Sequence, residues 1–219
     1  IRNPLTPIQL SAERLRRRFS SQITTDRETF ERCTDTITRQ VADIGRMVEE
    51  FSGFARMPKP TFARFNLGDM VQSVAFAQRM ATPSISVTVT GPDASIETLG
   101  DERMLEQALT NVVKNAAEAV ERALDAGDVK SGIVAIDVFG DGDEAQVTVR
   151  DNGPGFPVED RDRLLEPYVT TRKNGVGLGL AIVNRIVEDH GGRIWLGDNE
   201  HAARGARVDI RMPLQPKLE

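Results

Sequence analysis

Eight apolar or near-apolar residues, Phe30, Cys33, Ile37, Val41, Ile44, Val48, Phe51 and Ala55, recur three or four apart and then stop at Met57-Pro58-Lys59-Pro60. That spacing keeps one narrow apolar stripe on a single side of a long helix, as in a coiled coil or bundle. Proline lacks the N–H a helix needs and also disfavours helical backbone in the residue before it. The helix therefore ends here, and residues 57–64 read as a short, stiff linker. The chain divides into a helical segment, 1–56, and a second domain, 65–219.

Upstream, Leu5, Ile8, Ala12, Leu15 and Phe19 mark another helix, with Pro4 and Pro7 tolerated in its first turns. A polar connection, Ser20 to Thr25, leads to Asp26, the expected cap of the second helix, with Thr25 the alternative. Two antiparallel helices with narrow stripes bury little by themselves. Pairing of two hairpins into a four-helix bundle solves this, so a homodimer is expected. Cys33 falls on the stripe and reads as packing; as the chain's one cysteine it also excludes an internal disulfide and suits a reducing compartment. Arg14, Arg16, Arg17 and Arg18 sit where cations suit a helix end. The net charge of −5, split as +3 over residues 1–60 and −8 beyond, gives no drive toward nucleic acid, and none is expected as a partner.

The second domain alternates strand and helix signals. Asn66 is placed to cap a helix over 67–80. Strands are expected over 85–90 and 96–99, then a helix capped by Asp101 and running to about Ala126. Residues 133–139 and 145–150 read as a hairpin around Gly140 to Asp143, whose two aspartates are a solvated turn rather than a calcium loop. Residues 193–197 and 206–212 read as a further strand pair, with Trp195 packed in the sheet. His190 and His201 stand alone and read as structural or surface residues.

Three stretches carry chemistry. In Lys173 to Val187, glycines 175, 177 and 179 occur where a loop becomes a helix that Gly191-Gly192 ends. A helix start offers unpaired N–H groups and partial positive charge, so this is an anion site suited to phosphate. Asp151-Asn152-Gly153-Pro154-Gly155 follows a strand and presents one carboxylate beside glycines, able to accept from the exocyclic amine of a base. Asn111 and Asn115, four apart, share a helix face, and an amide oxygen is a ligand for Mg²⁺. Residues 156–177, with little periodicity, lie between two of these stretches and read as a lid.

In this order the stretches resemble the ATP-binding domain of sensor histidine kinases, within the wider GHKL ATPases. Asn111 to Ala119 is similar to the family's N box, Asp151 to Gly155 to its first glycine box, and Gly175 to Leu180 to its second. Leu165-Glu166-Pro167-Tyr168 with Thr170 to Lys173 is similar to the F box. The opening Ile1-Arg2-Asn3-Pro4-Leu5 resembles the tail of the phosphoacceptor motif, and the run to Phe19 with Phe54 to Pro60 looks like nitrogen-regulation sensor kinases of the NtrY type.

The resemblance implies an α+β fold: a helical hairpin, half of a four-helix bundle, then an α/β sandwich with a mixed sheet and helices on one face. It implies transfer of the γ-phosphoryl of Mg·ATP to a His, expected just upstream of Ile1 and so outside this chain, and onward to an Asp of a response-regulator receiver. Asp151 would select adenine. Asn115 would hold Mg²⁺ and phosphate, with Asn111 on its face. Glu118 stands where many relatives carry Lys or Arg. Gly153, Gly155, Thr171, Lys173, Gly175, Val176, Gly177, Leu178 and Gly179 would line the nucleotide, and Asn3 occupies the place linked to receiver dephosphorylation or, equally, caps a helix. The fragment is expected to be cytoplasmic, from a protein anchored in a bacterial inner membrane. Alternatives are a stand-alone ATPase of the gyrase or MutL kind and a nucleotide-binding docking module. The former need a Glu four residues before the metal-binding Asn; Asn111, a neutral amide, cannot serve as that base.

Overall fold

The computed structural model describes residues 2–55, 57–91, 96–157, 159, 161–170 and 177–215. Two compact units divide the chain after Met57. The first is a pair of packed antiparallel helices, α1 (Arg2–Phe19) and α2 (Arg27–Ala55). Ala12 and Val41 are buried between them, and Arg16 reaches Asp35 at 2.6 Å. Asp26 precedes α2 with φ +57°, a left-handed backbone rather than the extended one of an ordinary cap, and its carbonyl accepts from the Phe30 N–H. Much of the apolar stripe stays uncovered: Ile37, Ile44 and Phe51 on α2, with Ile8 and Leu15 on α1, are all exposed. Cys33 is exposed as well, so within one chain it packs no core.

In the second unit β1 (Ala63–Asn66) pairs antiparallel with β3 (Glu97–Gly100). A five-stranded sheet is built from β2 (Ile85–Thr90), β4 (Gly132–Asp141), β5 (Glu144–Asp151), β6 (Arg193–Asp198) and β7 (Ala206–Pro213), in the order β2-β4-β5-β7-β6. Only the β2–β4 pair is parallel, so the sheet is mixed. Helices α3 (Leu67–Ala81), α4 (Glu102–Asp125) and α5 (Gly179–Asp189) pack on it. Both expected caps form. The Asn66 side chain accepts from Gly68 N, and Asp101 Oδ1 accepts from Met104 N. The hairpin turn between β4 and β5 needs only Gly142-Asp143, with Gly142 at φ +60°.

Helix α4 is the centre of the core. Leu105, Leu109, Val112, Val113, Ala116 and Val120 on one side of it are buried. Full burial of a Val or Leu side chain contributes roughly 1.5–3 kcal/mol, so this face locks the helix's rotation and decides where its other side chains point. Helix α5 ends at His190, which is 2% exposed. Its Nδ1 donates to the Ile186 carbonyl at 2.7 Å, which leaves Nε2 to accept the Asp101 N–H at 2.9 Å. Asp101 Oδ2 accepts from Thr61 N at 2.9 Å, and the Phe62 ring lies 5.2 Å from the imidazole. His190 therefore ties the end of α5 to the start of α4 and to the segment leading into β1.

One expectation fails here. Trp195 is 44% exposed, on the sheet face away from the helices, because its position in β6 alternates with the inward Ile194. Between β5 and α5, Arg161–Leu165 forms a turn of 3-10 helix, with Leu164 buried.

Candidate functional site

The side of α4 next to its core face presents Asn111, Asn115 and Glu118, all partly buried. These positions recur three to four residues apart and so form one stripe. Lys114 and Glu118 lie 3.9 Å apart as an i,i+4 pair at the surface. The stripe meets both glycine-rich stretches. A Cβ added to Gly153 would stand 3.1 Å from the Ala119 backbone, and one on Gly179 would stand 3.5 Å from Asn115 Nδ2. One helix thus spans from the Asp151 turn to the first residue of α5.

Asp151 closes β5 with 4% of its surface exposed. Its Oδ1 accepts from Gly153 N at 2.8 Å and from Ala206 N at 3.2 Å. Its carbonyl accepts from Asn199 Nδ2 at 2.8 Å. Burial pushes the carboxyl above the ordinary aspartate range, against the two N–H bonds and the charge of Arg122. Oδ2 makes no hydrogen bond among the described residues. Asn152 fixes the turn from its other side, accepting from Ile133 N and donating to the Ser131 carbonyl.

The wall opposite α4 is the β6–β7 connection. Gly205 lies at φ +137°, and a Cβ there would stand 1.9 Å from the Asp151 carbonyl oxygen, so only glycine lets the loop close on the aspartate. Arg204 Nε donates to the Gly153 carbonyl at 3.3 Å while its guanidinium pairs with Asp128 at 3.1 Å. Asn199, Arg204, Gly205 and Ala206 were not singled out from sequence. The only local signal is a glycine just before a strand, and their partners lie about fifty residues upstream.

At the other end, α5 starts without a side-chain cap: Leu178, in the capping position, is wholly buried and makes no such bond. Gly177 has φ +73°, and a Cβ on it would stand 2.7 Å from the Tyr168 backbone. Tyr168, itself at φ +68° and exposed, donates its N–H to the Gly177 carbonyl. The first turn of α5 carries no acidic residue, so its N–H groups and partial positive charge have no anion within the helix's own first turn. Gly153 and Gly155 line the Asp151 turn, the latter at φ +82° against Gly205. Thr171, Lys173, Gly175 and Val176 lie outside the described residues. Asn3 belongs to α1 in the first unit; its side chain lies outside them too. Among the described residues no group of three or more His, Cys, Asp or Glu could hold a metal ion.

The structure therefore places the turn of the buried Asp151 carboxylate beside Ala119 and the uncapped start of α5 beside Asn115, one turn apart on α4. Residues 100–216 match the family described as histidine kinase-, DNA gyrase B-, and HSP90-like ATPase. Residues 1–60 match the His Kinase A (phospho-acceptor) domain. The chain is 48% identical over 221 residues to nitrogen regulation protein NtrY of Azorhizobium caulinodans, covering all of this chain and 28% of that protein. The chain thus spans less than a third of this relative. Among solved structures, the catalytic domain of histidine kinase ThkA is 28% identical with a TM-score of 0.61, over 71% of this chain and 97% of that one. ThkA in complex with response regulator TrrA has a TM-score of 0.71 at 24% identity, over all of this chain and 60% of that one.

Proposed function

The chain belongs to the histidine kinase-, DNA gyrase B- and HSP90-like ATPases, on their histidine kinase branch, and from that premise we propose a role for each part of its site. Asp151 accepts the exocyclic amine of adenine on Oδ2, the oxygen left without an internal donor. Gly153 and Gly155 let the base approach the backbone. The N–H groups at Gly177 to Gly179 receive the phosphates at the uncapped start of α5. Thr171 and Lys173 reach the same phosphates from the lid, which includes Gly175 and Val176. Asn115 supplies an amide oxygen to Mg²⁺, with Asn111 and Glu118 flanking it. One such ligand suits Mg²⁺, which keeps waters and takes its remaining oxygens from phosphate. When bound, the ion neutralises charge on the transferred group.

Phosphoryl transfer asks a protein chiefly for positioning and charge neutralisation, and this site offers both without a general base. The γ-phosphoryl leaves ADP for an imidazole nitrogen of a His upstream of Ile1, then passes to a receiver carboxylate of a response regulator. The uncovered apolar stripe of α1 and α2, together with the phosphoacceptor-type match, supports pairing of two chains through the hairpin. Asn3 serves the reverse reaction on the receiver. Residues 1–56 then form the dimerisation unit and 57–64 the connection into the ATP-binding unit, 65–219, with the end of that connection, Thr61 to Arg64, already packed on the second unit. The full-length protein is proposed to be membrane-anchored; no helix among the described residues is long and apolar enough to cross a membrane.

One observation carries this reading: the buried Asp151 carboxylate and the uncapped α5 start are held on a single rigid helix. The test has two arms. The chain as given should bind Mg·ATP by calorimetry, hydrolyse it slowly and not label itself. Extended upstream through a His-Glu pair, it should acquire acid-labile, base-stable phosphate and pass it to a receiver. Brisk hydrolysis by the short chain, with the extended chain unlabelled, would instead favour the hydrolase reading.

A further inference from the structure

The sheet face turned away from the helices has a charge pattern that nucleotide chemistry does not use. Arg150 is paired with Asp137, and Arg207 with Asp209, whose carboxylate also takes Thr148 and Gln146. Those charges are internally balanced. Arg193 and Arg211 have no acidic partner among the described residues; the Arg211 Nε donates only to the neutral Gln146 Oε1, at 3.0 Å. They are direct partners across the β6–β7 pair, both exposed. Like charges directly opposite on neighbouring strands disfavour the sheet. Following the register inward, their row continues through Gln146 and ends at Phe139, with no acidic residue on it; Asp209, opposite Trp195 on the next outward row, is taken by Arg207. Glu144 stands two residues from Gln146 along β5, on a different row. Beside the arginines is Trp195, 44% exposed, with the Arg211 guanidinium 5.4 Å from its ring centroid. β6 is the edge strand, so nothing in the sheet lies beyond it.

We propose that Arg193, Arg211 and Trp195 form a docking surface for an acidic segment of a partner protein. Two adjacent guanidinium forks match carboxylates in bidentate geometry. Trp and Arg are the residue types that most often dominate the energy of a protein interface, and here they touch one another. Charge complementarity selects the occupant. Residues 61–219 carry −8 overall, so an acidic partner is repelled from this unit in general, and two adjacent arginines without an acidic partner supply a local attraction. A nucleic-acid strand is disfavoured by the same numbers, because its affinity grows with the count of neutralised phosphates and this face leaves two cations uncompensated.

The test uses the chain's only tryptophan, which lies in the surface itself. Trp195 emission is followed while the 219-residue chain is titrated with a Glu/Gly peptide that lacks aromatic residues. A saturable change that weakens with added salt is expected. The double substitution Arg193→Gln, Arg211→Gln should weaken it about tenfold or more, as truncating one side of a charged interface does. Mg·ATP affinity should be unchanged in that variant, which reports that it is folded. Arg193→Gln alone, on the edge strand, serves if the double variant does not fold, and should also weaken the response. Four results would overturn the proposal: no saturable change; an equal change with a Gln/Gly peptide; tighter response to oligothymidylate, which would make the face a nucleic-acid surface; or an emission change with protein concentration alone, which would make the occupant a second copy.

Discussion

Asp151 holds a charge where burial opposes one. Its raised pKa means that the protonated form favours folding. That contribution is fully present below the unfolded pKa and is lost as pH rises through the folded value. The adenine recognition proposed for it needs the opposite form, the carboxylate. Asp151→Asn should therefore leave the fold at neutral pH as stable as the parent or more so, since the amide can keep both N–H bonds on Oδ1 without a buried charge. ATP affinity should fall by about 1–3 kcal/mol, the value of a hydrogen bond to a charged group. Calorimetry and thermal melts on one sample separate the two effects. In the parent, ATP affinity should decline on acidification from a higher pH than an ordinary aspartate would give, and that pH dependence should be absent in the variant. Gly205→Ala acts through geometry instead. A Cβ 1.9 Å from the Asp151 carbonyl oxygen has nowhere to go, so a loss of roughly 3 kcal/mol in chemical denaturation is expected, together with ATP binding. Asp151 was legible from sequence because a strand followed by Asp-Asn-Gly-Pro-Gly is a local signal. Gly205 was not, because the contact that demands glycine joins residues 54 apart in the chain.

Elements with strong local patterns were readable to within a residue or two: β2 spans Ile85–Thr90 as the alternation indicates, and Asn66 and Asp101 cap the helices they precede. β1 was missed because four residues, Ala63 to Asn66, carry too short an alternation and exist as a strand only through β3. Trp195 was misplaced for a related reason. Alternation fixes that Ile194 and Trp195 face opposite ways, but which face is covered depends on helices elsewhere in the chain. Asp101 is a test of the capping arithmetic. Burial pushes its carboxyl up, but the N–H bonds from Thr61 and Met104 outweigh this and leave it below the usual range. Its stabilisation is present above the unfolded pKa and is lost as pH falls through the folded one. Asp101→Ala should cost about 1 kcal/mol at neutral pH, with the difference from the parent shrinking in acid. For the hairpin, Ile37→Asp places a charge on the uncovered stripe at a residue already 43% exposed in one chain. Little loss of hairpin helicity is expected, whereas sedimentation should report a shift from dimer to monomer. An unchanged dimer would move the pairing surface elsewhere.

Across the whole molecule, the strand order has a consequence for how the protein is made. β7, the last strand in sequence, lies between β5 and β6 rather than at an edge. It also brings the Ala206 N–H to Asp151. During synthesis, β6 and the edge of β5 that β7 covers stay unpaired until residues 206–213 are made, and a strand edge without its partner is a template for aggregation. The Asp151 end of the site, proposed to read the base, cannot take this form on a nascent chain that stops short of residue 206. Pulse-labelled intermediates ending before β7 should fail to bind ATP and should be caught by chaperones. A chain complete through Pro213 should become competent in a single late step. ATP binding by a chain ending at Arg204 would contradict this order of assembly. Nucleotide competence would then act as a proofreading mark that only a chain translated through β7 can carry.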